Sequence, residues 1–97
     1  MFRIEFTLEA VEDLGLLRKF DQQQIITAIE SQLSHLAAQE KCNRKRLRPN
    51  RLAEWELRLG DFRVFYDFDQ DNALVKIEAV GYKEGSKLFV HGQEYQL

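Results

Sequence analysis

Along residues 2–7, Phe2, Ile4 and Phe6 alternate with Arg3, Glu5 and Thr7, a period of two that predicts a half-buried strand. The period then lengthens. Ala10, Val11, Leu14 and Leu17 form the apolar stripe of a helix that Thr7 can cap and that ends near Arg18. Asp21 is a good N-cap for a second helix, in which Ile25, Ile26, Ile29, Leu33 and Leu36 keep the 3–4 spacing of an amphipathic face. About three residues join the two, so the pattern predicts an antiparallel helical hairpin with its stripe in the core.

Residues 39–53 lack periodicity and contain the only proline, Pro49, beside Asn50, so they read as a loop. Alternation returns at Trp55-Glu56-Leu57-Arg58-Leu59 and Phe62-Arg63-Val64-Phe65-Tyr66, with Gly60-Asp61 between the arms. That is the signature of a two-residue β-hairpin. Asp69 to Asn72 is a second turn, Ala73 to Val80 a further strand, and Leu88-Phe89-Val90 a short extended piece in a tail broken by Gly81, Gly85 and Gly92. The expected fold is α+β: an N-terminal strand, a helical hairpin, then a three-stranded antiparallel meander with the helices packed on one face. The other face, bearing Glu56, Arg58, Arg63, Phe65 and Asp67, is expected to stay open to a ligand.

If Leu59 pairs with Phe62, Arg58 lies directly opposite Arg63, and like charges so placed repel. Either an anion such as phosphate fills the gap between the guanidinium forks, or Glu56 and Asp67 on the same face neutralise the pair locally. The wider charge distribution favours a polyanion. The chain has a net charge of -2, yet residues 41–63 carry eight basic and three acidic side chains, a local +5 flanked by acidic segments.

With 97 residues, 44% of them hydrophobic and 31% charged, the chain reads as one globular domain spanning residues 1–97. No apolar run approaches the roughly 20 residues of a membrane span. The start of the chain lacks the pattern of a targeting segment, and Cys42 is the only cysteine, so a cytoplasmic location is expected. There is no glycine-rich phosphate loop, no paired cysteine and no metal-ligand spacing, and Asp67-Phe68-Asp69-Gln70-Asp71 lacks the later residues of a calcium loop. Any chemistry is therefore expected to need neither metal nor cofactor. Of the two histidines, His35 is expected to be exposed and inert, and His91 to come within reach of the open face.

The order of elements, the loop Asn43-Arg44-Lys45-Arg46-Leu47-Arg48, the hairpin Leu57-Arg58-Leu59-Gly60-Asp61-Phe62-Arg63-Val64-Phe65-Tyr66 and Ala79-Val80-Gly81-Tyr82-Lys83 resemble the RelE/ParE superfamily of toxins from bacterial toxin–antitoxin modules. The resemblance covers nearly the whole chain. It implies a cytoplasmic toxin neutralised by a cognate antitoxin protein, acting in the RelE branch as a metal-independent endoribonuclease on ribosome-bound mRNA. The alternatives are a ParE-like inhibitor of DNA gyrase, or a catalytically weakened member that mainly binds its antitoxin.

By the same resemblance, Arg63, Arg58 and Lys83 stand where the RelE branch places catalytic cations. Arg44, Lys45, Arg46 and Arg48 would contact RNA, with Phe65 or Phe89 stacking on a base. Glu56 stands where the family has a lysine, and Phe89 near the place of its tyrosine. Arginines can stabilise a phosphorane but cannot move its protons. Glu56, held ionised by Arg58 and Arg63, is the candidate base, and Lys83, Tyr82 or His91 the candidate acid.

Overall fold

The computed structural model describes residues 1–97, the side chain of Leu36 excepted. Strand β1 (Arg3–Phe6) leads into helices α1 (Leu8–Gly15) and α2 (Lys19–Leu36). The strands β2 (Arg44–Arg46), β3 (Trp55–Leu59), β4 (Phe62–Asp69), β5 (Leu74–Glu84), β6 (Lys87–Val90) and β7 (Gln93–Tyr95) follow. Both helices cover one face of the sheet, the expected α+β arrangement. No helix is long and apolar enough to cross a membrane.

Thr7 caps α1 as the sequence suggests: its Oγ1 accepts from the Ala10 amide at 3.1 Å and donates to the Glu78 carbonyl at 3.1 Å. The cap therefore also ties the helix to β5. Helix α1 stops at Gly15, earlier than its apolar stripe implies, and α2 starts at Lys19, two residues ahead of Asp21. Asp21 lies inside the first turn, where its carboxylate suits the helix dipole and accepts from Arg18 Nε at 3.2 Å.

The sheet is larger than a meander. Seven strands run in the order β2-β3-β4-β5-β6-β7, with β1 parallel to β5. Residues Arg44–Arg46, read as loop from the sequence, pair with β3 as an edge strand. The outward amide and carbonyl of Arg44 are engaged by Lys41, at 3.2 Å and 2.9 Å respectively. At the other end β6 and β7 extend the sheet as hairpins. The last of these turns through His91-Gly92, both left-handed (φ 55 and 75), as a type I′ turn requires.

Strand β5 serves three partners. Leu74–Tyr82 pair with β4; on the opposite edge Leu74–Ile77 pair with β1 and Gly81–Glu84 with β6. The changeover coincides with an irregularity in the register, where Phe65 faces Ala79 but Tyr66 faces Ile77, leaving Glu78 as the extra residue of a bulge. The main core lies between the helices and the sheet and contains Leu14, Ile25, Ile29, Leu33, Trp55, Leu57, Val64, Tyr66, Val75 and Ile77. Tyr66 donates its hydroxyl to the Ala37 carbonyl at 2.7 Å, and burial holds its phenol well above its ordinary pKa. The opposite face is not wholly open. Ala53, Phe65, Ala79 and Val90 form a second buried cluster, packed by Leu47, Leu52, Leu88 and Tyr95.

Gly81 sits where β6 closes on β5. A Cβ there would lie 2.5 Å from the Phe89 carbonyl oxygen and 2.9 Å from Val90 Cγ2. The backbone atom cannot swing aside, so Gly81→Ala is expected to destabilise the protein by about 1–3 kcal/mol, the usual range for overpacking. Urea denaturation would read this as a lowered midpoint at unchanged slope.

The bulge residue Glu78 has its carboxyl pushed up from 4.5 to about 7, chiefly by burial and then by the hydrogen bond and charge of Asp67. The folded chain thus holds this proton more tightly than the unfolded chain. The resulting contribution is complete below pH 4.5 and is lost as pH rises through about 7. Glu78→Gln is expected to flatten that part of the stability profile and to leave the variant more stable than wild type at pH 8. Thermal melts between pH 4 and pH 9 would show the two curves diverging on the alkaline side.

Candidate nucleic-acid interface

The hairpin forms in the expected register. Gly60 takes a left-handed φ of 59, Leu59 pairs with Phe62, and Arg58 faces Arg63 directly. Glu56 lies two residues before Arg58 and therefore on the same side of β3. Its carboxylate bridges the arginines: Oε2 accepts from Arg58 Nε at 3.1 Å, and Oε1 lies 3.6 Å from Arg63 Nε. Of the two ways of relieving the repulsion, local neutralisation by Glu56 is the one present. Asp67 takes no part; its Oδ1 accepts the Glu54 amide at 2.8 Å.

The two arginines differ in freedom. Arg63 Nη1 also donates to the carbonyls of Gly60 and Phe62, at 2.7 Å and 2.9 Å, and its side chain is only 13% exposed. Arg58 is 46% exposed and can turn towards a ligand. Glu56 is nearly buried, so both cations are oriented by a group that water scarcely reaches.

Around this trio lies a cleft of about 700 Å³ that also includes Lys45, Arg46, Arg48, Lys83, Lys87, Glu94 and Tyr95. Seven basic residues border it. Strand parity turns Lys45, Arg58, Arg63 and Lys83 into it together with Glu56, whereas Arg46, Lys87 and Glu94 lie at its edges with the parity of the other side of the sheet. Lys45 faces Glu56 across the β2–β3 ladder and so projects to the same side. Among the described residues Lys45, Arg48, Lys83 and Lys87 have no ion-pair partner, so the cleft keeps a net positive field. Arg46, opposite Trp55 on the same ladder, turns to the other side of the sheet, 3.7 Å from Glu54 and with its guanidinium carbon 6.0 Å from the centre of the Trp55 ring. A larger cleft of about 1070 Å³ occupies the other end of this face, sharing Arg46, Leu47 and Arg48, but its floor carries Asp67, Asp69, Asp71 and Glu78. Of the two clefts, the smaller is the predominantly cationic one.

Arg58, Arg63, Lys83, Glu56, Lys45 and Arg48 therefore come together as the sequence suggests, with Arg46 beside them on the chain but turned to the Trp55 side of the sheet. Three other expected contacts do not. Arg44 is turned under the C-terminal end of α2, where Nε donates to the Gln39 carbonyl at 3.1 Å and Nη1 to Gln32 Oε1 at 3.0 Å. It is 3% exposed and anchors the edge strand, which leaves it unable to meet RNA. The ring of Phe65 is fully buried in the second cluster and has no face left for a base. Phe89 follows the alternation of β6 to the opposite side of the sheet, where it stacks on Tyr82 at 5.4 Å. Tyr82 faces the same way and cannot serve as the acid.

His91 is also displaced from the open face. Its Nδ1 lies 2.9 Å from Oδ1 of the buried Asp13, whose Oδ2 accepts the Val80 amide at 3.0 Å. Asp13 thereby clasps the β6–β7 turn to helix α1. The aromatic hydroxyl in the cleft is that of Tyr95, a residue the sequence reading passed over. The signal for it is His91-Gly92, a turn pair directly after Leu88-Phe89-Val90, which lets residues 93–95 return as a second hairpin arm.

A model of the family described as ParE toxin of type II toxin–antitoxin system matches residues 4–85. Comparison with curated proteins returns no match. Among solved structures, the chain is similar to the RelBE2 toxin–antitoxin complex of Mycobacterium tuberculosis, with a TM-score of 0.75 and 23% identity over 84% of this chain and 91% of that one. The isolated Escherichia coli RelE toxin gives a TM-score of 0.69 and 18% identity over 89% and 88% of the two chains. The archaeal RelE–RelB complex from Pyrococcus horikoshii gives 0.68 and 21% over 88% and 97%. At such identities the structural likenesses speak for the fold, while the family model, covering most of the chain, speaks for descent. The chain belongs to the ParE toxin family of type II toxin–antitoxin systems, within the RelE/ParE superfamily.

Proposed function

We propose that this chain is a toxin that cuts ribosome-bound mRNA in its cationic cleft and is silenced by a cognate antitoxin covering that cleft. The observation that carries the reading is the concentration of basic residues at a fixed arginine pair, seven with the pair included. Four of those side chains are without a carboxylate partner among the described residues and ready for phosphate. The complexes of similar fold with RelB antitoxins support a protein partner.

In this reading the 2′-hydroxyl of one nucleotide attacks the adjoining phosphorus. Its proton passes to Glu56, the bond to the 5′-oxygen breaks, and that oxygen is protonated as it leaves. Arg63, immobilised by two carbonyls, and Arg58, free to close, stabilise the charge that builds on the phosphorane oxygens. Tyr95 and Lys83 are the groups in the cleft able to return a proton to the leaving oxygen.

A second reading, inhibition of DNA gyrase, draws on the ParE description of the family and on Glu56, which occupies the space between the arginines that a phosphate would otherwise fill. A protein-binding surface needs no proton donor.

Tyr95→Phe and Lys83→Ala separate the two readings, because neither residue has an ion pair whose loss would disturb the fold. For the nuclease, each change is expected to slow cleavage by about 10²–10⁴-fold, the usual worth of a general acid. Primer extension on ribosome-bound transcripts measures this directly. No cut transcript from the wild-type protein, together with inhibited supercoiling by gyrase, would give the function to the second reading.

A further inference from the structure

The two clefts share a ridge, residues 46–48, and beyond it the chain makes a short excursion that carries two exposed arginines, Arg48 and Arg51. Asn50 lies between them and is partly buried. Its side-chain amide makes four hydrogen bonds within the loop. Oδ1 accepts from the amides of Leu52 and Ala53 at 2.7 Å and 3.0 Å, and Nδ2 donates to the carbonyls of Arg48 and Ala53 at 2.7 Å and 2.9 Å. One side chain thus replaces the backbone pairing that the loop lacks, in the manner of an Asx turn. Underneath, Leu47, Leu52 and Ala53 pack on Phe65 and Ala79, so the apolar side of the loop is fixed to the sheet. The result is a loop pinned from both sides, with both of its arginines exposed.

We propose that Asn50 is the positioning residue of a phosphate-tracking rim. By closing residues 48–53 into one shape it holds Arg48 at the mouth of the cationic cleft and Arg51 at the border of the larger cleft, above that cleft's acidic floor. Single-stranded RNA leaving the arginine pair then meets two further cations at fixed places. Asn50 itself touches no phosphate; it acts through Arg48 and Arg51. The inference rests on the reading of the cleft as an RNA site and extends that site past the reacting phosphate. A flexible loop with the same charge would attract RNA from a distance, but it would have to be ordered at each binding event.

The test is a double-mutant cycle read by fluorescence anisotropy, using a labelled single-stranded RNA oligonucleotide and the purified chain at several salt concentrations. Each phosphate contact to a single strand contributes about 0.7 to the slope of log affinity against log salt. Asn50→Ala is expected to lower the slope by about 1.4 through loss of two contacts, and to weaken binding at least about fivefold at low salt. Asn50→Ser keeps an acceptor for the Leu52 and Ala53 amides and is expected to recover most of the affinity. In an Arg48→Ala, Arg51→Ala background, Asn50→Ala is expected to change nothing further, because residues acting through one another are not additive.

Wild-type affinity and slope in Asn50→Ala would overturn the proposal. So would a loss of binding that persists undiminished in the background lacking both arginines, since Asn50 would then act on the fold and not through the cations. Thermal melts of the same variants identify that case. If the wild-type chain shows no salt-dependent RNA binding, the rim does not track phosphates and the proposal falls; the reading of the cleft as a nuclease falls as well only if ribosome-bound transcripts also stay uncut.

Discussion

Strand β5 has to satisfy two different neighbours along one edge, and the rest of the structure is arranged around that requirement. A parallel partner, β1, takes its first part and an antiparallel partner, β6, takes its last, while β4 follows the other edge from Leu74 to Tyr82. Two local features make the changeover feasible. The bulge at Glu78 adds a residue and re-aims the strand, and Gly81 lets the β6 backbone approach closer than any side chain would permit. The same changeover is stapled from the helical side by Thr7, which binds the Glu78 carbonyl, and by Asp13, which binds the Val80 amide. Parallel strands need a long crossover connection, and here that connection contains the helical hairpin that closes the core.

The site inherits its geometry from this frame. Arg63 lies on β4 directly opposite Gly81, the one position on β5 without a side chain to crowd it, and Val90 fills the space on the far side. Glu56 resolves the repulsion that the hairpin register creates and keeps the arginines aligned while the cleft is empty. That alignment has a chemical cost, because a carboxylate between two guanidinium groups also repels an incoming phosphate. The partnerless lysines at 45 and 83 and the arginine at 48 offset that repulsion and leave the cleft positive.

Much of this was legible in the sequence because it depends on short-range rules. The Gly60-Asp61 turn between two alternating arms fixes the register to the residue, and with it the meeting of Arg58, Arg63 and Glu56. The helical stripes contain the core residues Ala10, Leu14, Ile25, Ile29 and Leu33, but Val11, at the edge of the first stripe, is exposed. What could not be read depends on long-range partners. The run Arg44-Lys45-Arg46 looks uniformly solvated, yet pairing with β3 sends Lys45 to the cleft and turns Arg44 inward to acceptors on α2 and beyond it. Phe65 was placed on the correct face, but the loop above it covers that part of the face with Leu52 and Ala53. For Phe89 and Tyr95, parity along β6 and β7 decides which aromatic enters the cleft, and it reverses the assignment that chain position alone suggests.

The way Lys41 engages Arg44 has a consequence for how the chain behaves in company. An edge strand usually offers a row of free amides and carbonyls to any passing extended segment, and so invites fibrous self-association. Here the boundary strand is three residues long, its first residue is already occupied by a turn of its own chain, and its neighbours are cationic. A second molecule approaching that border meets blocked groups and like charge. The sheet is thus guarded against growing sideways at the end nearest its most basic segment, where an accumulating chain would otherwise be most exposed to its own copies.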